Sequence, residues 1–274
     1  MSAPVARTYL FVPGNRPERF AKALASAADA VVLDLEDAVA VDDKSSAREA
    51  VGAQFAGMSP EARRRIVVRI NDVASSWFAM DLRMLLQSGA TQVMLPKAEG
   101  AAQLAEVLDA VPDADVLALI ESARGVAAVD EIAAAAGVSR LVFGTLDLAL
   151  DLDLDNGADD EGLAYAAGRI AVAARAAGLA APVAGVTPQL DDEARLLADL
   201  ARARRFGFGA KLCIHPKQVD PIHRALQPSA AAVDWARRVL EAEAASPGAA
   251  KLDGRMVDRP VVLQAQRILT RSAH

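Results

Sequence analysis

The sequence predicts an α/β fold of the (β/α)₈ or TIM-barrel class, followed by a C-terminal helical arm. The chain has 274 residues, and a single barrel of this class commonly takes about 250 residues. Short apolar runs recur eight times, and a longer helical stretch follows each run. The runs are rich in Val, Leu and Ile without polar alternation, as expected of parallel strands that are buried on both faces.

The predicted strands and helices alternate from the beginning of the chain. The strands are residues 8–12, 30–35, 66–70, 92–95, 116–120, 141–143, 182–186 and 211–214. The helices are residues 16–27, 44–55, 76–87, 101–108, 125–136, 161–177 and 191–205, with an eighth beginning near Pro216. Eightfold strand–helix alternation is typical of a closed parallel barrel.

The last part of the chain exceeds what a barrel requires. Residues 230–245 have the composition of a helix, residues 246–250 that of a flexible linker, and residues 252–270 that of a turn and a final helix. We therefore predict a barrel over residues 1–227 and a C-terminal helical extension or lid over residues 228–274. This extension would be either a capping arm or an oligomer contact.

Composition excludes several classes of protein. The net charge of -6 argues against a nucleic-acid partner, because such a protein is expected to carry a basic face. No segment approaches 18 uninterrupted apolar residues, so no membrane span is expected. The one cysteine, Cys213, lies in an apolar run and reads as a small buried side chain. We expect a cytoplasmic protein.

Polar residues cluster where the predicted strands end. Active sites of (β/α)₈ barrels lie at the carboxyl ends of the strands, where side chains from different strands meet at one mouth. Both signs of charge occur at nearly every predicted end, which solvation alone does not explain. These residues are Asp34, Glu36, Asp37, Arg69, Asn71, Lys97, Glu99, Glu121, Asp147, Thr187 and His215.

Two of these carboxylates form a candidate metal site. Glu121 directly follows the fifth strand and Asp147 lies just after the sixth. A sparse pair of oxygen ligands suits Mg²⁺, which keeps several waters and takes further oxygens from its substrate. A 2-oxo acid offers a carboxylate and a keto oxygen for this purpose. Alternatively, Glu121 pairs with Arg124, or Asp147 caps a helix.

Arg69 is the candidate contact for negative oxygen. It lies in an apolar run, where a guanidinium requires a partner, and its planar fork suits a carboxylate or enolate. Glu36 and Asp37 are candidate catalytic residues that would orient Arg69, Lys97 or a metal-bound water. A purely structural ion pair of Arg69 with Glu36 or Asp37 is the alternative, and the two roles are compatible.

The loop after the first strand is a candidate phosphate site. A glycine-containing turn opens a helix there, and Asn15, Arg16, Arg19 and Lys22 lie nearby. Backbone N–H groups at such a turn and nearby cations favour phosphate. Such a loop would fit the nucleotide end of coenzyme A; alternatively, these basic residues belong to an ordinary solvated helix.

The same residues carry a family resemblance. The chain resembles the citrate lyase beta-subunit family within the pyruvate/phosphoenolpyruvate barrel superfamily, and is similar to malyl-CoA and citramalyl-CoA lyases. The similar stretches lie in order along nearly the whole chain: residues 9–14, 32–39, 68–71, 95–97, 119–122, 143–148 and 213–216. A further stretch, residues 254–260, resembles the C-terminal arm of the two CoA lyases.

The resemblance implies roles for individual residues. Glu121 and Asp147 would be Mg²⁺ ligands, and Arg69 would contact the oxo acid and the enolate. With Arg69, we assign substrate binding to Lys97, Gly144 and Thr145. Asp258 would enter the active site of a neighbouring subunit as a catalytic residue, usually within a homotrimer; alternatively, it is a turn residue before Pro260.

These expectations lead to one functional hypothesis and several alternatives. The hypothesis is a Mg²⁺-dependent carbon–carbon lyase that converts a 3-hydroxyacyl-CoA thioester, such as malyl-, citramalyl- or citryl-CoA, into an acyl-CoA and a 2-oxo acid. The alternatives are a malyl-CoA thioesterase or synthase-like activity on the same site, an aldolase that acts on free 2-oxo acids, and a catalytically idle subunit or binding protein.

Overall fold

The structure is a computed structural model that describes residues 5–155, 161–246, 248 and 250–272. Eight parallel strands close into a barrel in sequence order, which confirms the predicted fold class. The strands are β1 (Thr8–Pro13), β2 (Ala30–Asp34), β3 (Ile66–Arg69), β4 (Gln92–Leu95), β5 (Asp115–Ile120), β6 (Val138–Phe143), β7 (Val183–Ala184) and β8 (Ala210–Cys213).

Helices follow the strands, as the apolar periodicity predicts. They are α1 (Phe20–Leu24), α2 (Lys44–Gln54), α3 (Pro60–Arg63), α4 (Phe78–Ser88), α5 (Ala101–Ala110), α6 (Ala123–Ala127), α7 (Val129–Ala134), α8 (Thr145–Asp151), α9 (Ala164–Ala176), α10 (Glu193–Arg205) and α11 (Val219–Leu226). Short 3₁₀ turns precede several of them, including Pro17–Arg19 before α1 and Pro216–Gln218 before α11.

The strands are buried on both faces because both faces are apolar. Alternate residues such as Val32 and Leu117 form the barrel interior. Val31 and Leu33, which flank Val32, are also fully buried, as is Leu95 after the interior residue Met94, and period-two alternation directs them toward the helical layer. Burial of this kind stabilises a fold by about 25 cal/mol for each Å² of apolar surface removed from water.

Several element boundaries differ from the sequence expectation. The first helix ends at Leu24 instead of residue 27, because the Ser26 hydroxyl donates to Ala23 O and accepts from Ala28 N–H. The predicted helix over residues 125–136 is divided between α6 and α7, and α3 and α8 were not predicted. Strand β7 is short, and the carbonyl beyond it, that of Gly185, accepts a hydrogen bond from Lys211 Nζ.

Contacts divide the described residues into two compact units, one running from Val5 to Ile222 and the other beginning at His223. The second unit contains α12 (Ala230–Ala245), a hairpin of β9 (Lys251–Leu252) and β10 (Arg255–Met256), and α13 (Arg259–Ser272). It has its own apolar core, which includes Ala236 and Val257. Pro247 and Ala249, within the predicted linker, lie outside the described residues. Each helix in the described ranges is too short or too polar to traverse a bilayer.

Candidate active site

The polar residues at the barrel mouth are placed there by strand alternation. Val32 and Val67 belong to the interior cluster, so Asp34 and Arg69, each two residues further on, also face the interior. The parallel register of β2 and β3 sets Asp34 opposite Arg69. Glu121 likewise stands two residues after an interior leucine of β5. The carboxyl ends of β2, β3 and β5 therefore bring charges of both signs to one place.

Arg69 is clamped by Asp34. Its Nε donates to Asp34 Oδ1 (2.7 Å) and its Nη2 donates to Oδ2 (2.6 Å), a bidentate arrangement between two buried side chains. The guanidinium carbon also lies 5.0 Å from the centre of the Phe11 ring. Burial alone would lower the pKa of Arg69, but the charge of Asp34 and its hydrogen bonds outweigh burial and raise it. Asp34, rather than Glu36 or Asp37, is thus the main partner of this cation.

Glu36 connects Arg69 with Lys97. Its Oε1 accepts a hydrogen bond from Lys97 Nζ (2.9 Å), and its Oε2 lies 2.8 Å from Arg69 Nη1. The second contact is an ion pair without hydrogen-bond geometry, so this buried oxygen accepts no hydrogen bond from the described part of the chain. Burial raises the pKa of Glu36, although the charge of Arg69 opposes the shift. Asp37 is more exposed and stands 3.7 Å from Arg69 Nη1.

Lys97 has a strained backbone at the mouth. Its φ of 47° lies in the left-handed region, which residues other than glycine rarely adopt and which contacts elsewhere must hold in place. In this conformation its N–H donates to Glu121 Oε1 (2.9 Å), while its Nζ reaches Glu36 and lies 3.7 Å from Asp72. Burial would lower the pKa of Lys97, but the hydrogen bond and charge of Glu36 raise it. Lys97 thus joins both carboxylates.

Glu121 is a buried carboxylate with two acidic neighbours. Its pKa is raised to about 8, first by burial and then by the charges of Glu36 and Asp147, which together outweigh the opposing Lys97 N–H and the charge of Arg69. Gly144 permits this position, because a Cβ there would lie 2.4 Å from Glu121 Cβ and 2.6 Å from its Oε2. Asp147 is exposed in the first turn of α8. The two candidate metal ligands are therefore electrostatically coupled.

The donor set at Glu121 and Asp147 fits a hard divalent cation. Glu121 Oε2 and both oxygens of Asp147 accept no hydrogen bond from the residues that the structure describes, so they are available as ligands. A cation would also offset the repulsion that raises the pKa of Glu121. Among the described residues no group of three or more His, Cys, Asp or Glu is arranged around a metal position. Two protein carboxylates, completed by water and substrate, suit Mg²⁺.

Three other residues at the predicted strand ends have different surroundings. Thr145 follows Gly144 and packs against Gly185, where a Cβ would lie 2.5 Å from Thr145 Oγ1. Thr187 is tied to the helical layer, because its hydroxyl donates to Asp199 of α10 (2.6 Å). His215 Nδ1 accepts from Lys217 N–H and so caps the 3₁₀ turn before α11. Thr187 and His215 thus have structural hydrogen bonds outside the charged cluster.

The candidate phosphate loop differs from the expected geometry. Gly14 N–H donates to Asp34 O (2.7 Å), so this glycine permits close packing of β1 on β2 instead of offering its N–H to a ligand. Asn15 Nδ2 donates to Asp43 Oδ2 (2.8 Å). The exposed Arg16 pairs with Glu18, whose pKa is lowered by that hydrogen bond.

The other two predicted cations of this loop are also exposed. Arg19 Nε lies 3.8 Å from a Glu18 oxygen, and Lys22 is on the surface of α1. Helix α1 has five residues, so its N-terminus offers a much weaker dipole than the sequence expectation assumed. Any phosphate binding here would depend on the side-chain cations.

A second layer of buried polar groups was missed by the sequence reasoning. Lys44 Nζ donates to Asn71 Oδ1 (2.7 Å), and Asn71 Nδ2 donates to Asp81 Oδ2 (2.6 Å). Arg48 Nε donates to Asp81 Oδ1 (2.7 Å), and its guanidinium carbon lies 5.5 Å from the Trp77 ring centre. Only Asn71 was noted from the sequence. Lys44, Arg48 and Asp81 lie on helices, where isolated charges usually indicate a solvated face.

Asp258, the remaining predicted site residue, belongs to the second compact unit. It is exposed and immediately precedes α13. Its Oδ1 accepts a hydrogen bond from Val261 N–H (3.2 Å), so it caps the first turn of that helix. The capping role is compatible with a catalytic one, because the second carboxylate oxygen accepts no hydrogen bond from the described residues.

Comparison with known proteins gives a family match over the barrel. A model of the HpcH/HpaI aldolase/citrate lyase family matches residues 7–216. That range contains the strand-end cluster, and Asp258 lies beyond it.

Individual relatives extend the similarity over nearly the whole chain. A citrate lyase subunit beta-like protein of Mycobacterium tuberculosis is 41% identical over 269 residues, which cover 96% of this chain and 94% of the relative. A (3S)-malyl-CoA thioesterase of Cereibacter sphaeroides is 35% identical over 270 residues, with 97% and 94% coverage. Among solved structures, the M. tuberculosis protein CitE in complex with magnesium, acetoacetate and coenzyme A has a TM-score of 0.88 at 39% identity, and 98% of each chain is covered.

Proposed function

The chain belongs to the HpcH/HpaI aldolase/citrate lyase family, and on this premise we propose that it is a Mg²⁺-dependent carbon–carbon lyase. Its substrate would be a 3-hydroxyacyl-CoA thioester such as malyl-, citramalyl- or citryl-CoA, cleaved to or formed from an acyl-CoA and a 2-oxo acid. The resemblance to citrate lyase beta subunits that the sequence predicts is confirmed. The identity of the thioester is part of the proposal.

The observation that carries the proposal is the cluster of Arg69, Glu36, Lys97 and Glu121 at the carboxyl ends of the strands. Two cations and two carboxylates are held together there, and their pKa values are shifted by burial and by one another. Shifted titratable groups in a barrel mouth favour a catalytic role over a purely structural one.

We assign Mg²⁺ to Glu121 and Asp147. The similar CitE protein binds magnesium, and the two carboxylates of this chain have oxygens to which no described residue donates a hydrogen bond. When bound, the cation would act as a Lewis acid and as a template for the oxygens of the oxo acid. Gly144 and Thr145 border this position, and they would approach the substrate through the backbone and the hydroxyl group respectively.

Arg69 and Lys97 would supply positive charge to the reacting oxygens. Because Asp34 clamps Arg69 in a bidentate pair, its guanidinium is fixed before substrate arrives and can stabilise the oxygen that becomes negative as the carbon–carbon bond breaks. Lys97 is nearly half exposed, so its ammonium can contact a substrate carboxylate. Glu36 and Asp37 would keep the side chains of both cations oriented toward the site instead of toward solvent.

Asp258 would act as the general acid or base that transfers a proton to or from the reacting carbon. In the cleavage direction it would protonate the enolate carbon of the departing acyl thioester, and in the reverse direction it would deprotonate the acyl methyl group. We propose that it enters from the C-terminal extension of a neighbouring subunit in a homotrimer. Asn15, Arg16, Arg19 and Lys22 would contact coenzyme A. We also propose that the enzyme works in the cytoplasm.

A thioesterase is the second candidate function. The observation that favours it is the 35% identity to a (3S)-malyl-CoA thioesterase over nearly the whole chain. The same mouth could hold malyl-CoA while water attacks the thioester carbonyl in place of carbon–carbon cleavage. A synthase-like reaction would combine condensation with this hydrolysis.

A product assay tests these proposals. Purified protein is incubated with malyl-, citramalyl- and citryl-CoA, with Mg²⁺ or with EDTA. EDTA-sensitive release of an oxo acid and an acyl-CoA from one thioester is the expected result. Free CoA together with a free hydroxydiacid would instead assign the thioesterase. Activity on free oxo acids that is indifferent to CoA would assign the aldolase.

Matched variants then test the metal ligand. Glu121→Gln should lower turnover at least about a hundredfold, because a lost charge-stabilising group usually removes several kcal/mol of barrier stabilisation. Glu106→Gln, the same change on the exposed face of α5, should leave turnover unchanged. Wild-type turnover by Glu121→Gln would show that the metal assignment is wrong.

A further inference from the structure

All three N–H donors of the Lys44 ammonium form hydrogen bonds next to the candidate active site. It is the first residue of α2, and its side chain is buried. Its Nζ donates to Leu35 O (2.6 Å), Glu36 O (2.7 Å) and Asn71 Oδ1 (2.7 Å). An ammonium has three N–H donors, so each donor is used at the carboxyl end of β2 or β3.

These contacts fix the turn that carries Glu36. The Glu36 N–H donates to Asp34 Oδ1 (2.9 Å), while the carbonyls of Leu35 and Glu36 accept from Lys44. The peptide group before Glu36 is therefore held by both Asp34 and Lys44, and the peptide group after it is held by Lys44. With this backbone fixed, the Glu36 carboxylate can reach Arg69 and Lys97 together.

Asn71, the side-chain acceptor of Lys44, is itself held by buried hydrogen bonds. It donates through Nδ2 and through the backbone N–H to Asp81 Oδ2. Arg48 holds the other oxygen of Asp81. This chain of contacts ties α2 and α4 to the ends of β2 and β3, so displacement of the Lys44 ammonium would be opposed by several buried hydrogen bonds.

We propose that Lys44 is a positioning residue for oxo-acid binding, acting through Glu36 to hold Arg69 and Lys97 in their binding geometry. The inference rests on the proposed function, in which these two cations contact the substrate. A buried ammonium is costly to desolvate, and a purely structural lysine could satisfy any carbonyls nearby. Lys44 instead contacts the two carbonyls next to a site carboxylate and an asparagine at the neighbouring strand end.

Arg140 provides a matched control within the same barrel. It is equally buried, and it too donates to two backbone carbonyls, those of Ala181 and Ala6, and to one side-chain oxygen, Tyr9 Oη. These acceptors lie at the amino ends of the strands, opposite the mouth. Arg140→Met therefore removes a similar set of buried contacts without touching the candidate site.

Calorimetry with two probes tests the proposal on the full chain. Mg²⁺ alone reports on Glu121 and Asp147, and pyruvate at saturating Mg²⁺ reports on the oxo-acid contacts. For Lys44→Met we expect the Kd for pyruvate to rise at least about tenfold, while the Kd for Mg²⁺ changes less than about threefold. Arg140→Met should change neither Kd by more than about threefold, whatever it does to the denaturation midpoint.

Each other result has a defined meaning. Unchanged pyruvate binding by folded Lys44→Met, or equal losses of Mg²⁺ and pyruvate binding, would overturn the proposal. If Lys44→Met does not fold, Lys44→Gln retains two N–H donors and should weaken pyruvate binding by about three- to tenfold. Failure of both variants to fold, with Arg140→Met folded, would make Lys44 structural and also overturn it. Wild-type protein that binds neither probe would instead refute the proposed function.

Discussion

Gly144 offers a direct test of how closely β6 approaches Glu121. It lies between β6 and α8, and its N–H donates to Ile120 O (2.9 Å), which fixes the distance between the two strand ends. A Cβ at this position would stand 2.4 Å from Glu121 Cβ and 2.6 Å from Glu121 Oε2. Gly144→Ala must therefore displace either the Glu121 side chain or the backbone that carries it.

The size of the effect follows from that distance. Carbon atoms in contact lie at least about 3.5 Å apart, so the alanine methyl group requires a shift of about 1 Å. Overpacking of this kind typically destabilises a core by about 1–3 kcal/mol. Displacement of a catalytic group by about 1 Å can lower the rate about a hundredfold. We expect Gly144→Ala to lose both stability and Mg²⁺-dependent turnover to these extents.

The assay compares Gly144→Ala with Gly168→Ala. Gly168 lies within α9, and a Cβ there would meet no heavy atom of the described residues within 4 Å apart from the backbone of its own helix. Alanine at a helix-interior glycine should stabilise by about 0.5–1 kcal/mol and leave turnover unchanged. Urea denaturation and the thioester assay are measured for both variants. Wild-type stability together with turnover within about threefold of wild type for Gly144→Ala would refute the close approach on which the reasoning depends.

Further predictions concern three other positions. Asp34→Asn should lower the free energy of unfolding by about 3–5 kcal/mol in urea denaturation, because it breaks a buried pair with Arg69; Asp130→Asn, which weakens a surface pair, should lower it by less than about 1 kcal/mol. Burial raises the pKa of the Cys213 thiol to about 12, so the protonated thiol should resist iodoacetamide in the folded protein near pH 8 and react after unfolding in urea, as followed by mass spectrometry; equal labelling rates would contradict this burial. Asp258→Asn should lower turnover at least about tenfold and retain helix content by circular dichroism, because the amide oxygen can still cap α13. Unaltered turnover would leave Asp258 with the capping role alone.

The sequence was sufficient for the barrel because its pattern is repeated eight times. Apolar runs without alternation indicated strands buried on both faces, and each of the eight strands is found where a run occurs. Local hydrogen bonds were harder to foresee. The end of α1 involves the Ser26 hydroxyl, and the Gly185 carbonyl just beyond the short β7 accepts a hydrogen bond from Lys211. Apolar periodicity gives no signal for either of these hydrogen bonds.

Strand ends also predicted which residues would meet at the mouth. Arg69, Glu36, Lys97 and Glu121 were expected to converge, and they do so through direct contacts. That success follows from the architecture, because a closed parallel barrel brings the carboxyl ends of all its strands to one face. Thr187 was also placed at a strand end, but its side chain turns toward α10. Position along a strand does not determine where a flexible side chain finds its partner.

The sequence by itself determined the fold class, the family and the inventory of charges at the mouth. Only the tertiary structure decided how those charges are paired. Asp34 rather than Glu36 clamps Arg69, a strained Lys97 aims its N–H at Glu121, and Lys44 anchors the turn beneath Glu36. The physical reason is that these contacts join residues 8 to 35 positions apart on different elements, and their distances depend on barrel register, side-chain conformation and desolvation. Apolar periodicity records which face a residue takes, whereas the partner it meets there is set by the packing of the closed barrel.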